Sequence, residues 1–302
     1  MKTIRTLAVG AAAAFALTAC ASTNPMASPS TSASKSSTIV VGSANFPESE
    51  LLADIYAGAL KAKGVTVTTK VNIGTRETYV PALKNGEINV IPEYTGAFAL
   101  YLNKAAVVTD GATSLASLKA ALPETLIALD PSKAEDKDSV AVTAATAAQY
   151  NLKSIGDLAP VASQLVLGGP PEWATRANGV QGLKTVYGLT FKEFKPLDTA
   201  GPLTVTALKN GQVQAANLFT TDPSIKASGF VVLDDPKNLF GAQNVIPVVT
   251  KSLATPTVTA ALNAVSVKLD TDSLATLVTK VVVDKQDASK VADEWLKAQG
   301  LA

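Results

Sequence analysis

The chain has 302 residues, 26 Lys and Arg against 25 Asp and Glu, 47% hydrophobic residues, one Cys and no His. That length builds two domains of ordinary size with a sizeable core, and a net charge of +1 without a basic stripe excludes a nucleic-acid surface built on bulk positive field. The missing imidazole excludes Ser-His-Asp and Cys-His catalysis and His-ligated zinc, so the composition favours a binder over a hydrolase.

Lys2 and Arg5 precede an apolar run over residues 7–17, and Leu17-Thr18-Ala19-Cys20 follows at once. An apolar stretch that short does not cross a bilayer and reads as a secretory signal over residues 1–19. Its Leu-Thr-Ala-Cys ending resembles the lipobox of bacterial lipoproteins, which implies that Cys20 becomes the lipidated first residue after cleavage. A lone Cys leaves the exported protein without disulfides. Residues 20–37, rich in Ser, Thr, Ala and Pro, have little to bury and are expected to form a flexible tether.

Structure is expected to begin at Thr38, where the β-branched Thr38-Ile39-Val40-Val41 run up to Gly42 predicts a strand. Pro47-Glu48-Ser49-Glu50 opens a helix with Leu51, Leu52, Ile55, Ala59 and Leu60 on one face, closed by Gly64. Val65, Val67, Thr69 and Val71 alternate as a second strand, a short helix runs from about Arg76 to Asn85, and Ile88–Ile91 is the next buried strand. Strands alternating with helices specify a mostly parallel sheet in an α/β fold.

The chain also repeats itself. Ala82-Leu83-Lys84-Asn85-Gly86-Glu87-Ile88 recurs as Ala207-Leu208-Lys209-Asn210-Gly211-Gln212-Val213, and at the same spacing Tyr94-Thr95 falls on Phe219-Thr220. Upstream, Val40-Val41-Gly42 matches Val166-Leu167-Gly168, with Phe46 soon after the first and Trp173 soon after the second. Two similar α/β lobes account for this pattern. In open parallel sheets ligands sit beyond the carboxyl ends of the strands, where helix N-termini also point. Phe46, Tyr94, Trp173 and Phe219 all fall there, so an aromatic-walled cleft is expected. Tyr56, Tyr101 and Tyr187 fall inside helices and Phe191 and Phe194 in strand-like sequence, where aromatics usually pack the core.

Four stretches carry a resemblance that spans residues 38–302: VGSANFPESELLADIYAGAL, ALKNGEINVIPEYTG, GGPPEWATRANGVQGLKTVYG and ALKNGQVQAANLFTTD. They resemble the substrate-binding proteins of the glycine betaine, choline and quaternary-amine class of ABC importers. The resemblance implies a two-lobed α/β fold of the type II periplasmic-binding-protein kind, with lobe one at 38–140 plus 246–302, lobe two at 141–245, and two crossovers. Extended Val-rich segments at Ser139–Thr143 and Val245–Thr250 suit the crossings. It further implies a binding protein and not an enzyme, anchored outside the cell membrane by lipid alone, delivering a small quaternary amine to permease subunits, with no cofactor and no metal.

In that family a methylated ammonium lies in a box of rings, each face attracting a cation by about 0.5 to 2 kcal/mol. Carried over by motif, the walls are Phe46, Tyr94, Trp173 and Phe219. Backbone N–H groups near Ser49, Thr95 and Thr220, with the side chains of Asn45 and Asn217, would meet a ligand carboxylate. The chain departs from the pattern in two ways. Phe46 and Phe219 stand where Tyr is frequent, and the stretch after Asp130-Pro131 carries Glu135 and Asp136 without the expected Arg. Glu135 and Asp136 suit a solvated loop; if either lines the cleft, it favours a cation without a carboxylate, such as choline, over a zwitterion. A neutral or aromatic ligand is the alternative for the same rings, and an enzyme on the same scaffold a further one. Glu93 and Glu172 each neighbour a wall residue, but two carboxylates without a nucleophile do not make a hydrolase. Arg76, Arg176 and Trp295 read as fold or surface residues.

Overall fold

The computed structural model describes residues 38–302; the signal, Cys20 and the tether read from the sequence lie outside them. In chain order the elements are β1 (Ile39–Gly42), α1 (Pro47–Ala62), β2 (Val67–Lys70), α2 (Arg76–Lys84), β3 (Val90–Tyr94), α3 (Thr95–Leu102), α4 (Gly111–Ala121) and β4 (Leu126–Ala128). There follow β5 (Asp138–Thr143), α5 (Ala144–Tyr150), β6 (Val166–Gly169), α6 (Val180–Tyr187), β7 (Glu193–Pro196), α7 (Pro202–Lys209), β8 (Ala215–Phe219), α8 (Pro223–Ser228) and β9 (Phe230–Val232). The chain ends with β10 (Val245–Thr250), α9 (Pro256–Lys268), α10 (Thr271–Val282) and α11 (Ala288–Ala298).

The strands form two five-stranded sheets of one plan, β2-β1-β3-β10-β4 and β7-β6-β8-β5-β9, each with helices packed on it, which is the two-lobed type II fold. Within each sheet the first three strands are parallel. The fourth runs antiparallel to both its neighbours because it enters from the other lobe. Each sheet is therefore mixed rather than wholly parallel. The register places the entering strand against a wall aromatic each time: Val245 of β10 opposite Tyr94 and Asp138 of β5 opposite Phe219.

Local sequence explains most elements. Pro47 supplies the fixed φ at the start of α1, whose buried face of Leu51, Leu52, Ile55, Tyr56 and Leu60 joins α9, α10 and α11 in one apolar cluster. Trp295 of α11 sits in that cluster. The strand read as Ile88–Ile91 in fact starts at Val90 and runs through Pro92 to Tyr94. Pro92 faces Pro247 in the antiparallel ladder, at a pair of positions that exchange no hydrogen bonds, so the missing N–H groups cost that ladder nothing.

The sequence repeat is also a structural one. Gly86 and Gly211 take left-handed φ values of 83° and 70° just after α2 and α7, a conformation that a Cβ disfavours. Three residues on, Asn89 Oδ1 accepts from Val40 N at 2.9 Å while its Nδ2 donates to the Gly86 carbonyl. Gln214 does the same in the second lobe, accepting from Val166 N at 2.9 Å and donating to the Gly211 carbonyl. One amide side chain thus ties each helix–turn–strand unit to the neighbouring parallel strand, β1 or β6.

Candidate functional site

The carboxyl ends of the two sheets face each other across a narrow cleft of about 40 Å³, open to solvent at its mouth. Phe46 caps the N-terminus of α1 in extended conformation. Tyr94 ends β3, Phe219 ends β8, and Trp173 lies in the 3-10 turn Pro171–Ala174 that follows β6. All four line the cleft. Phe46 is the hub: its ring centroid is 6.3 Å from that of Tyr94 and 5.2 Å from that of Phe219 on the opposite lobe. Trp173 behaves differently. It is 1% exposed and stacks on Phe240 at 6.2 Å and 13°, so one face belongs to the core of the second lobe.

Of the polar residues expected near the ligand, Asn45, Ser49, Asn217 and Asp136 line the cleft. Ser49 Oγ accepts from Ala44 N and fixes the turn between β1 and α1. Asn217 donates through Nδ2 to Asp138 Oδ1 and to the Ser139 carbonyl, which leaves its buried Oδ1, like Trp173 Nε1, without a partner among the described residues. Gly169 makes room for both side chains, since a Cβ there would stand 3.2 Å from Trp173 Cε3 and 3.3 Å from Asn217 Cβ. Thr95 and Thr220 lie behind the cleft wall. Thr95 Oγ1 donates to the Ala242 carbonyl and accepts from Asn244 N, and Thr220 Oγ1 accepts from Lys137 N, so both hydroxyls hold the crossings between lobes.

Asp136 and Glu135 part company at the crossing. Glu135 pairs with Lys137 at 3.2 Å and accepts from Gln243 N. Asp136 is buried, lines the cleft and accepts from Thr221 N at 3.0 Å. Its carboxyl meets that of Glu48, which accepts from the Tyr94 hydroxyl at 2.6 Å and from the Thr221 hydroxyl at 2.6 Å. Burial, and then the charge of Glu48, push Asp136 well above the usual carboxylate range; burial also raises Glu48.

Sequence reading missed the two arginines, which the fold brings to the cleft. Arg76, at the start of α2, grips buried Glu93 through Nε at 3.0 Å and Nη2 at 2.7 Å, and the Tyr79 hydroxyl donates to the same carboxylate at 2.6 Å. Its Nη1 has no acceptor among the described residues. Arg176 lies on the other lobe, reaches across to Glu77 at 3.0 Å and stands 3.8 Å from Glu172 of its own lobe. A signal for Arg76 was present: Glu93 in a buried strand next to Tyr94 demands a cationic partner. Asp138, raised by burial, feels the opposing pull of both arginines. The cleft thus joins ring faces and the buried carboxyl of Asp136 to guanidinium donors. That combination suits a molecule with a methylated cation at one end and an anion at the other.

Comparison with known proteins gives the same direction. A family model described as the substrate binding domain of ABC-type glycine betaine transport system matches residues 37–298. The glycine betaine-binding protein YehZ of Escherichia coli is 29% identical over 279 residues, covering 87% of this chain and 91% of that protein. A glycine-betaine-binding protein of Pseudomonas aeruginosa is 28% identical over 279 residues, covering 87% and 88%. Among solved structures, a glycine betaine/carnitine/choline ABC transporter protein superposes with a TM-score of 0.68 at 23% identity, over 87% of this chain and 99% of that one.

Proposed function

The chain belongs to the family of substrate-binding domains of ABC-type glycine betaine transport systems, and from that premise we propose that its cleft captures a zwitterionic quaternary amine such as glycine betaine and hands it to permease subunits. The observation that carries the reading is the meeting of Phe46, Tyr94 and Phe219 from two lobes in a cleft that Arg76 and Arg176 also line. Ring faces attract the trimethylammonium head, and guanidinium N–H groups meet a carboxylate. Arg76 and Arg176 line the cleft along with Asp136, so it offers donors for a ligand anion beside the acidic group. Phe46, Tyr94, Trp173 and Phe219 are the proposed walls, with Asn45, Ser49 and Asn217 as neighbouring polar groups. Thr95 and Thr220 support them from the crossings.

In this reading residues 1–19 are the signal, Cys20 is lipidated, and residues 20–37 tether the body outside the cell membrane. Lobe one is 38–140 plus 246–302 and lobe two is 141–245. Motion of one lobe towards the other about the two crossings encloses the ligand and presents a closed surface to the permease. Titration calorimetry tests the ligand: glycine betaine is expected to bind, and its neutral tert-butyl isostere at least about tenfold more weakly, which is about 1.4 kcal/mol. Arg176→Ala is expected to weaken glycine betaine while leaving choline within about twofold. Saturable binding of a neutral aromatic compound, with no heat from any quaternary amine, would overturn the ligand assignment.

A further inference from the structure

The contact between Phe46 and Phe219 divides the space between the lobes instead of ending it. These two rings and Thr199 line the ligand cleft on one side and, on the other, an apolar groove of about 360 Å³ that is partly open to solvent. One wall of the groove is Val278, Val281 and Val282 of α10 in the first lobe. The facing wall is Pro202 and Val205 of α7 and Pro223 at the start of α8, in the second.

Phe46 comes from one lobe and Phe219 from the other, so the partition exists only where the rings meet at 5.2 Å. A molecule lying between the rings joins the two spaces. We propose that the groove seats an apolar arm carried by the quaternary ammonium, so that the protein takes alkyl- or acyl-bearing trimethylammonium compounds besides small ones. This rests on the reading of the cleft as a quaternary-amine site.

Three observations carry it. The groove and the cleft are separated only by Phe46, Phe219 and Thr199, which line both, so a head group held between the two rings has its substituent at the groove entrance. The two walls come one from each lobe, so the movement that closes the cleft also closes the groove around the arm. The walls beyond the rings are mainly aliphatic, which rewards burial of methylenes without demanding a fixed geometry. Glu48 and Thr221 line the groove beside the two rings, and the hydrogen bond that joins them across the lobes stays on the groove side of the partition.

Calorimetry with tetramethylammonium and its butyl- and hexyl-trimethylammonium homologues holds the head group fixed and varies only the arm. Affinity is expected to rise roughly two- to fourfold per added methylene. Val281→Asp, on α10, and Pro202→Asp, at the exposed first turn of α7, are each expected to abolish that gain while tetramethylammonium affinity stays within about twofold. Two variants on separate elements guard against one failing to fold. A flat series above a head group that binds overturns the proposal and leaves the groove to a protein partner; a gain that survives both variants also overturns it. Absence of heat with tetramethylammonium and with glycine betaine overturns the quaternary-amine reading itself, and the arm with it.

Discussion

Glu48 and Thr221, 173 residues apart in sequence, are joined across the two lobes by a 2.6 Å hydrogen bond from the threonine hydroxyl to the glutamate. The contact can form only when the lobes are together, and it buries Glu48 against Asp136, Tyr94 and the charge of Asp222. Asp136 faces Glu48 and Asp138 along with the Thr221 N–H. Closure therefore confines two carboxyls that opening returns to water.

Affinity is expected to depend on pH through this pair. Both carboxyls are raised in the closed form, chiefly by burial, so closing takes up a proton wherever the open form has lost it. The contribution is present in full below the ordinary carboxylate pKa of about 4 and is lost as pH rises through the raised values. Glycine betaine affinity should fall from pH 5 to pH 8, with proton uptake visible as a buffer-dependent heat in calorimetry. Glu48→Gln should flatten the profile. An identical pH profile in the variant would show that the pair does not titrate with closure.

The Arg76–Glu93 pair is buried and bidentate, with Tyr79 donating to the same carboxylate. Removing one partner leaves the other charge unpaired out of water, which costs about 3 to 5 kcal/mol. Glu93→Ala should lower the urea midpoint accordingly. The half-exposed Glu77 opposite Arg176 is a different case: Glu77→Ala should cost no more than about 1 kcal/mol. Equal effects of the two substitutions would refute this ranking.

Trp173 and Phe219 should separate stability from binding. Trp173 is buried against Phe240, so Trp173→Ala opens a core cavity worth about 3 to 5 kcal/mol of stability besides weakening the ligand. Phe219 is partly exposed at the meeting of the lobes. Phe219→Ala should reduce binding by about 1 to 3 kcal/mol with little change in the unfolding midpoint. Paired denaturation and calorimetry on both variants measure the split, and a large stability loss in the Phe219 variant would contradict it.

Cys20→Ala should move the protein from washed membranes to the soluble fraction while its ligand affinity stays unchanged. No helix among the described residues is long and apolar enough to cross a membrane, so the body offers no helical anchor of its own. Retention of the variant on membranes would count against lipid as the attachment.

Much of the ligand side was legible in sequence. In an α/β sheet the carboxyl ends of the strands share one edge, so the position of Phe46, Tyr94, Trp173 and Phe219 just after strand-like runs was enough to group them. The repeated Lys-Asn-Gly turn located the two matching units for a local reason: a helix that stops on a left-handed glycine and returns as a strand needs that chemistry wherever it occurs.

Tertiary structure decided what those residues touch. Local sequence carried no sign that Phe46 would pair with Phe219 across the lobes, or that Trp173 would turn one face to Phe240. Arg76 and Arg176 read only as fold or surface residues because the partners that bring them to the cleft are distant, Glu93 17 residues away and Glu77 99. The raised carboxyls of Glu48 and Asp136 have the same origin. Periodicity and spacing report which face of an element is buried; contacts between elements, and the loss of water that shifts a carboxyl, arise only when two lobes meet.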